Sequence, residues 1–254
     1  MSRLALPAAI LAGLLASTIG LRAQRVPAAS PTGLPADILA LACAPQTGQT
    51  QPDSPLRITG GQDSSTRLNY APGDLVTLNA GAVNGMRVGQ EFFVRRTLKG
   101  RSYEMTVPQP VVKETAGWIR VWAVDDNMSL ATITHACDSI EVGDYLEPFA
   151  LPDAVVPNPN KPKPQRENYA RVMSAADLRS TFGRGDFFLI NRGTREGITP
   201  GAQFVIYRDK KESSNFLFEL GEAVAVNVGD HVSTLQVTLS RDAFYEGDYV
   251  AERK

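Results

Sequence analysis

The second half of the sequence repeats the pattern of the first half, and this repeat limits the possible folds more than any other feature. Residues 73–89 and 185–201 carry glycines at the same spacing, 112 positions apart. A later block, 117–145, matches 221–249 at a separation of 104 positions, and a loop shorter by eight residues in the second copy accounts for the difference. Self-similarity on this scale indicates one folding unit that occurs twice. The sequence therefore predicts a tandem duplication.

The two copies set the predicted boundaries of the remaining segments. The segment between the copies contains five prolines, which favour an extended, semi-rigid linker. The segment before the first copy is rich in Pro, Gln, Ser and Thr and is predicted to be mostly irregular, with one short helix over 35–42. The predicted units are a signal peptide at 1–23, an irregular segment at 24–55, the first copy at 56–150, the linker at 151–168 and the second copy at 169–254.

Within each copy, short apolar runs alternate with glycine-rich or polar turns. Residues 75–78 and 187–190 are β-formers that lie between a Gly-Asp pair and an Asn-x-Gly turn. Residues 118–124 alternate in polarity, and a polar turn separates them from another short run at 131–134. Five or six such strands in fewer than about 100 residues suit a small closed or half-open barrel. The predicted fold class is all-β.

The spacing of the glycines resembles that of a known bacterial module. The pattern at 78–94 is Leu-x-x-Gly-x-x-x-Gly-hydrophobic-x-x-Gly-x-x-Phe-x-Val, and Val-Gly-Asp-Tyr-Leu follows at 142–146. It resembles the SH3-like β-barrel module of flagellar assembly protein T C-terminal domains and of related LysM-associated bacterial envelope proteins. A similar glycine-spaced turn occurs in the barrels of a bacterial rod-shape protein. The resemblance implies two tandem SH3-like barrels and a location in the cell envelope.

The N-terminus is typical of a secretory signal peptide. A positively charged start is followed by an uncharged, apolar stretch at 4–21 and by small or aliphatic residues that permit cleavage before Gln24. A retained membrane anchor is the alternative, because 18 uncharged residues approach the roughly 20 that span a bilayer. After cleavage we expect no transmembrane span and a periplasmic or secreted protein.

Cys43 and Cys137 are the two cysteines of the chain, so a single intramolecular pairing is possible. An oxidising compartment would permit this disulfide, which would attach the N-terminal segment to the first copy. Lipidation of Cys43 is an alternative, because residues 39–43 loosely resemble a lipobox.

Candidate catalytic or metal-binding residues are few. The formal net charge of −1 excludes a strongly basic nucleic-acid-binding protein. The two histidines, His135 and His231, occupy different copies, and a dyad in which His135 activates Cys137 as a nucleophile is a catalytic alternative. Five Gly-Asp pairs predict carboxylates that form turns, although calcium binding is an alternative for them. We expect no catalytic residues, no metal site and no cofactor.

Aromatic residues are the candidates for partner binding. Trp118 and Trp122 lie four positions apart on one predicted strand, so their side chains share a face. Phe93 and Phe188 each belong to a Phe-Phe pair whose two rings must face opposite sides. The second ring of each pair is available for a partner or for packing between the copies. These four residues are the predicted partner-binding set.

Together these features predict an exported, non-catalytic binding or scaffolding protein of the bacterial cell envelope. The expected partner is an envelope protein or peptidoglycan, and no nucleic acid is expected. One alternative is an exported enzyme, such as a cell-wall hydrolase, with a site between the copies that uses Asp125, Asp126 or Asp230. Another is an accessory subunit of a flagellar or other envelope machine.

Overall fold

The computed structural model describes residues 36–47, 56–62, 67–99, 111–157, 159–165, 167–173, 179–209 and 216–254. In these ranges the chain consists almost entirely of antiparallel β-strands with one α-helix, which confirms the all-β prediction. The predicted helix is present, and Pro35 at its predicted start lies outside the described residues. The elements are α1 (Ala36–Cys43), β1 (Gln46–Thr47), β2 (Ile58–Gly61), β3 (Asn69–Tyr70), β4 (Leu75–Leu78), β5 (Glu91–Lys99), β6 (Val111–Val124), β7 (Ser129–Ala136), β8 (Ile140–Glu141), β9 (Tyr145–Pro148), β10 (Ala170–Met173), β11 (Thr181–Phe182), β12 (Phe187–Ile190), β13 (Gln203–Asp209), β14 (Leu217–Val228), β15 (Ser233–Ser240), β16 (Phe244–Tyr245) and β17 (Tyr249–Glu252).

The first large sheet has the strand order β2-β4-β7-β6-β5-β9, and β1 pairs with the N-terminal region of β6. Its two outer strands meet through a bridge between Arg57 and Tyr145 and a hydrogen bond from the Ile58 amide to the Asp144 carbonyl, 3.0 Å long. The sheet therefore curls around its own apolar core. That core contains, among others, Ile58, Val76, Leu78, Val94, Ile119, Val121 and Ile133.

The second large sheet is a closed six-stranded barrel with the order β10-β12-β15-β14-β13-β17. Its strands succeed one another in the same order as those of the first sheet, and β10 closes the barrel by pairing with β17. Three stacked or edge-on phenylalanines, Phe182, Phe188 and Phe244, fill a region of its core. Closure removes the exposed edges that an open sheet of this size would leave.

Glycine is required at positions 81 and 193 because the backbone of another segment passes too close for a side chain. Gly81 and Gly193 each precede a 3₁₀ helix, Ala82–Asn84 or Thr194–Glu196. A Cβ at Gly81 would overlap the carbonyl oxygen of Asp125. A Cβ at Gly193 would overlap the backbone of the corresponding turn of the second sheet in the same way. The loop after β4 is therefore held directly against the turn after β6.

Replacing Gly81 by alanine is expected to lower the free energy of unfolding by about 3 kcal/mol, because the added methyl group cannot be accommodated without moving backbone. The hydrogen bond from the Ala82 amide to the Asp125 carbonyl, 2.8 Å long, would have to break. Urea unfolding measures this loss. Gly85→Ala is the control: a Cβ at Gly85 meets no atom within 4 Å, and its φ of +82° limits the cost to about 1–2 kcal/mol. Equal losses in the two variants would contradict the overlap.

Candidate functional site

The N-terminal segment is attached to the outer side of the first sheet by a disulfide. Cys43, at the end of α1, is bonded to Cys137, which follows β7, and their Cα atoms lie 5.6 Å apart. The predicted pairing is confirmed. A sulfur atom engaged in this bond cannot carry a lipid or act as a nucleophile, so the lipidation alternative at Cys43 and the catalytic dyad at Cys137 are both corrected.

Beneath α1 lies an aromatic cluster that includes two of the four predicted partner-binding residues. Trp118 is 1% exposed and Phe93 is 3% exposed, and both contact Phe149 at ring-centroid distances of 5.6 and 4.6 Å. Helix α1 places Ala42 on this cluster. Phe188, the third predicted residue, lies in the core of the barrel. Burial leaves these three side chains no surface for a partner in this structure, and Trp122 remains as the candidate.

His135 lies at the edge of the aromatic cluster, where its ring stacks on Trp118 at a centroid distance of 4.1 Å. Burial lowers the pKa of His135 below its ordinary value. Its Nε2 atom is 4.0 Å from the Cys43 sulfur, and the ligand atoms of Cys43, His135 and Cys137 lie within 4.8 Å of one another. Metal binding requires cysteines as thiolates, and in the disulfide neither sulfur is one.

The two large sheets pack directly against each other, and β1 joins them. Thr47 pairs with Val112 in β6. The Thr47 amide also donates to Oδ1 of Asn227 at 3.1 Å, and the Thr47 hydroxyl donates to the Val232 carbonyl at 2.9 Å. Sequence reasoning missed β1, because two polar residues within a segment predicted to be irregular carry no alternating pattern.

An apolar cluster fills the contact between the sheets. Val112 of β6 packs with Met173, Leu189 and Val232 of the closed barrel, and Leu98 of β5 packs against them. This cluster lies between the two sheets, apart from the core of either one, and packs them against each other. The sequence left open whether the two copies pack together, and in the structure they contact each other through these residues.

The linker itself lies along the closed barrel. Its Lys161 ammonium group is 2.8 Å from Oε2 of Glu222, and Pro164 bridges to Arg253. The Gln165 amide donates to the Glu252 carbonyl at 2.8 Å. The linker therefore contacts β14 and the end of β17, and it is held there by both backbone and side-chain hydrogen bonds.

The linker contact is expected to weaken in acid. The hydrogen bond from Lys161, together with the charge of Arg253, lowers the pKa of Glu222 below its ordinary value. A carboxyl group whose pKa is lower in the folded protein stabilises it fully above the unfolded pKa, about 4.5, and this stabilisation disappears as the pH falls through the folded pKa. Hydrogen exchange at the Gln165 amide, corrected for intrinsic rates, should therefore accelerate below about pH 4.5. In Glu222→Gln the protection should be weaker and lose this pH dependence. An unchanged pH profile in that variant would contradict the assignment.

Among the described residues, four of the five Gly-Asp turns use their carboxylates as predicted, and Asp230 does not show this hydrogen bond. Four aspartates each accept a 2.8 Å hydrogen bond from the backbone amide three residues earlier, which confirms turn formation by Asp74, Asp144, Asp186 and Asp248. Each also pairs with an arginine. Two of these pairs are largely buried, Arg96–Asp144 and Arg208–Asp248, and two are more exposed, Arg67–Asp74 and Arg179–Asp186.

The exposed residue Trp122 lies at one end of the first sheet, beside the turn between β6 and β7. Its side chain is 64% exposed, and Met128 in the turn is 46% exposed. The loop after β4 adds two more exposed valines. The Gly89 amide donates to the Val121 carbonyl of β6 and the Ala82 amide donates to the Asp125 carbonyl, so this loop is held against the end of β6 and the turn that follows it. We call this surface the Trp122 patch; it consists of Val83, Val88, Trp122 and Met128. Clustered exposed apolar residues mark interaction surfaces.

The carboxylates considered for catalysis do not share one site. Asp125 and Asp126 lie in the β6–β7 turn of the first sheet, and Asp230 lies in the β14–β15 turn of the second. The Asp125 carboxylate accepts a hydrogen bond from the Asp126 amide at 2.8 Å. Asp230 lies 3.5 Å from the Thr194 hydroxyl of its own sheet. Asp125 therefore bonds within its own turn, and Asp230 contacts the loop after β12 of its own sheet.

A cleft of about 270 Å³ lies at the contact between the sheets, beside the disulfide. Its charged lining comes from Glu114, Asp138, Arg179 and Asp186. Within it, the Arg179 guanidinium binds the Asp186 carboxylate at 2.8 Å.

Among the residues that the structure describes, no helix is long and apolar enough to cross a membrane.

No protein-family model matches the chain, and no curated protein matches it either. We therefore infer its function from the residues and contacts described above.

Proposed function

We propose that this protein is an exported, non-catalytic binding or scaffolding protein of the bacterial cell envelope. It consists of two tandem SH3-like modules that act as one packed unit. The Trp122 patch is the surface that binds a partner, which is an envelope protein or peptidoglycan. The observation that carries this proposal is the exposure of Trp122 and its apolar neighbours on a sheet whose other tryptophan is covered.

The matching order of strands in the two large sheets supports the tandem arrangement. Individual contacts recur as well. The backbone amide of Arg57 donates to Oδ1 of Asn79, and the backbone amide of Arg171 donates to Oδ1 of Asn191. Such recurrence is expected when one module is duplicated, because the same turns need the same polar partners.

The disulfide supports export. Disulfides persist in oxidising compartments, such as the periplasm and the exterior of the cell, and are rare in the cytosol. The proposal also predicts removal of the signal peptide. The N-terminal sequence of the protein recovered from its own cells should begin at Gln24, and a protein that retains Met1 would contradict cleavage.

Crosslinking from within the Trp122 patch tests the binding role. A photo-reactive amino acid placed at position 122 in the native cells should form adducts with one defined envelope protein or with peptidoglycan. Val156 in the linker is the matched control position, because it is 81% exposed and lies outside the patch. Adducts at 122 that are absent at 156 support the proposal.

Two results would refute it. One is the same diffuse set of adducts, or none, from positions 122 and 156. The other is turnover of a cell-wall or peptide substrate that is abolished by substitutions in the cleft between the sheets, since this would make the protein an enzyme.

A further inference from the structure

Each of the two surfaces that meet in the internal contact between the sheets has a counterpart elsewhere among the described residues. Within the chain, Val112 at one end of the first sheet packs against Met173, Leu189 and Val232 of the second sheet. We call the Val112 side of this contact the presenting end and the other side the receiving end. Because both sheets have the same strand order, the second sheet has its own version of the presenting end. The first sheet likewise has its own version of the receiving end.

The equivalent positions follow from the strand registers. Arg96 pairs with Glu114 of β6, and Val112 lies two residues before Glu114. In the same way, Arg208 pairs with Phe218 of β14, and Phe216 lies two residues before Phe218. Arg96 and Arg208 are themselves equivalent, since each binds the aspartate of the last Gly-Asp turn. Phe216 therefore occupies in the second sheet the place of Val112 in the first.

Both counterpart surfaces expose apolar side chains. Phe216 is 70% exposed, whereas its counterpart Val112 is fully buried between the sheets. On the receiving side, Val232 follows the β14–β15 turn and is 8% exposed. Its counterpart after the β6–β7 turn is Met128, a member of the Trp122 patch.

We propose that copies of this chain associate head to tail, so that the Phe216 end of one copy contacts the surface of the next that carries Met128 of the Trp122 patch together with Thr59 and Thr77, the counterparts of Met173 and Leu189. This inference rests on the proposed function, since it names a second copy as a partner of the Trp122 patch. The evidence for a second copy is that the same strands already form this contact once within the chain. A contact between two different surfaces leaves one of each surface free, so association continues into chains or closes into a ring.

The contact between copies is expected to be weaker than the internal one. Met173 and Leu189 correspond to Thr59 and Thr77, whose hydroxyl groups hydrogen-bond to each other at 2.9 Å. The internal contact is also reinforced by the segment around β1, including a hydrogen bond from the Thr234 hydroxyl to the Pro45 carbonyl at 2.7 Å. A smaller and partly polar contact is typical of associations in the micromolar range.

Sedimentation velocity of the purified protein over a range of concentrations tests the proposal. The wild-type protein is expected to form species larger than dimers as the concentration rises through the micromolar range. Phe216→Lys and Met128→Lys each remove one of the two surfaces, so each variant alone should remain monomeric. An equimolar mixture of the two variants should form dimers and no larger species, because it contains one intact pair of surfaces. Val156→Lys in the linker is the control and should associate like the wild type.

Two outcomes would overturn head-to-tail association. A wild-type protein that stays monomeric at all concentrations excludes it. Association of Met128→Lys without association of Phe216→Lys indicates a symmetric contact through Phe216 instead. The thermal unfolding midpoint of each lysine variant must match that of the wild type. If a lysine variant unfolds at a lower temperature, Phe216→Ser or Met128→Ser is used in its place.

Crosslinking from position 122 separates this inference from the proposed function. Adducts with another envelope component, together with a monomeric wild-type protein, refute self-association and leave the binding role intact. Adducts whose mass is twice that of the chain support self-association.

Discussion

Replacing Cys43 by serine is expected to lower the free energy of unfolding by about 4–5 kcal/mol, which is the largest effect of a single substitution that the structure predicts. The disulfide joins residues 94 positions apart. A crosslink over so long a loop removes much of the conformational entropy of the unfolded chain, and the chain-entropy model gives this magnitude. Urea unfolding of the variant and of the oxidised wild-type protein measures the difference.

The reduced wild-type protein provides the control for this prediction. A reducing agent should shift the wild-type unfolding curve toward that of Cys43→Ser and should leave the curve of the double variant Cys43→Ser, Cys137→Ser unchanged. The variant should also show altered tryptophan fluorescence, because Trp118 lies beneath α1. A loss below about 1 kcal/mol would contradict the prediction and would indicate that residual structure already restricts the unfolded chain over this loop.

Replacing Asp248 by alanine is the second large effect, with an expected loss of about 3–5 kcal/mol. The Asp248 carboxylate accepts two hydrogen bonds from Arg208, 3.0 and 2.6 Å long, and one from the Tyr245 amide. This bonding raises the pKa of Arg208 above its ordinary value. An arginine keeps its charge at ordinary pH even without a partner, so the guanidinium remains charged in the variant. The loss is large because the variant leaves a partly buried charge and a turn amide without their partner.

Asp186→Ala is the matched control within the same barrel. Asp186 also follows a glycine, also accepts an amide hydrogen bond three residues back, and also binds an arginine, but its partner Arg179 is 52% exposed. Exposed ion pairs contribute about 0–1 kcal/mol, so this variant should lose about 1–2 kcal/mol in total. Chemical unfolding of both variants gives the comparison. Equal losses would show that the turn hydrogen bond, and not burial of the ion pair, sets the stability.

Much of the local structure could be predicted from the sequence, because it depends on near neighbours. Short runs of apolar, β-forming residues predicted the longer strands of each copy, and Gly-Asp pairs predicted turns in which the carboxylate binds nearby backbone amides. The pair Cys43–Cys137 followed from a count of two cysteines. The repeat indicated that the same strands occur twice, and the two large sheets have the same strand order.

The candidate site was predicted less well. Trp118 and Trp122 belong to one strand at a spacing that puts them on one face, yet Trp118 is buried and Trp122 is exposed. Strand periodicity states which residues share a face, but it does not state what covers that face. In the folded protein α1 packs over Trp118 and leaves Trp122 exposed. The exposure of Phe216 could not be predicted from the sequence. It becomes informative only when the structure shows that the equivalent residue, Val112, is buried between the two sheets.

The sequence by itself therefore determined the fold class, the longer strands of each copy, most of the turn-forming aspartates and the disulfide, all of which depend on residue type and local spacing. Only the tertiary structure decided which aromatic residues remain at the surface, how β1 joins the two sheets and where the linker lies. These features arise from contacts between segments far apart in the chain. Thr47 and Asn227, for example, meet across 180 positions. Such contacts depend on the complementary shapes and hydrogen-bonding groups of two folded surfaces, and neither segment carries a local pattern that identifies its partner.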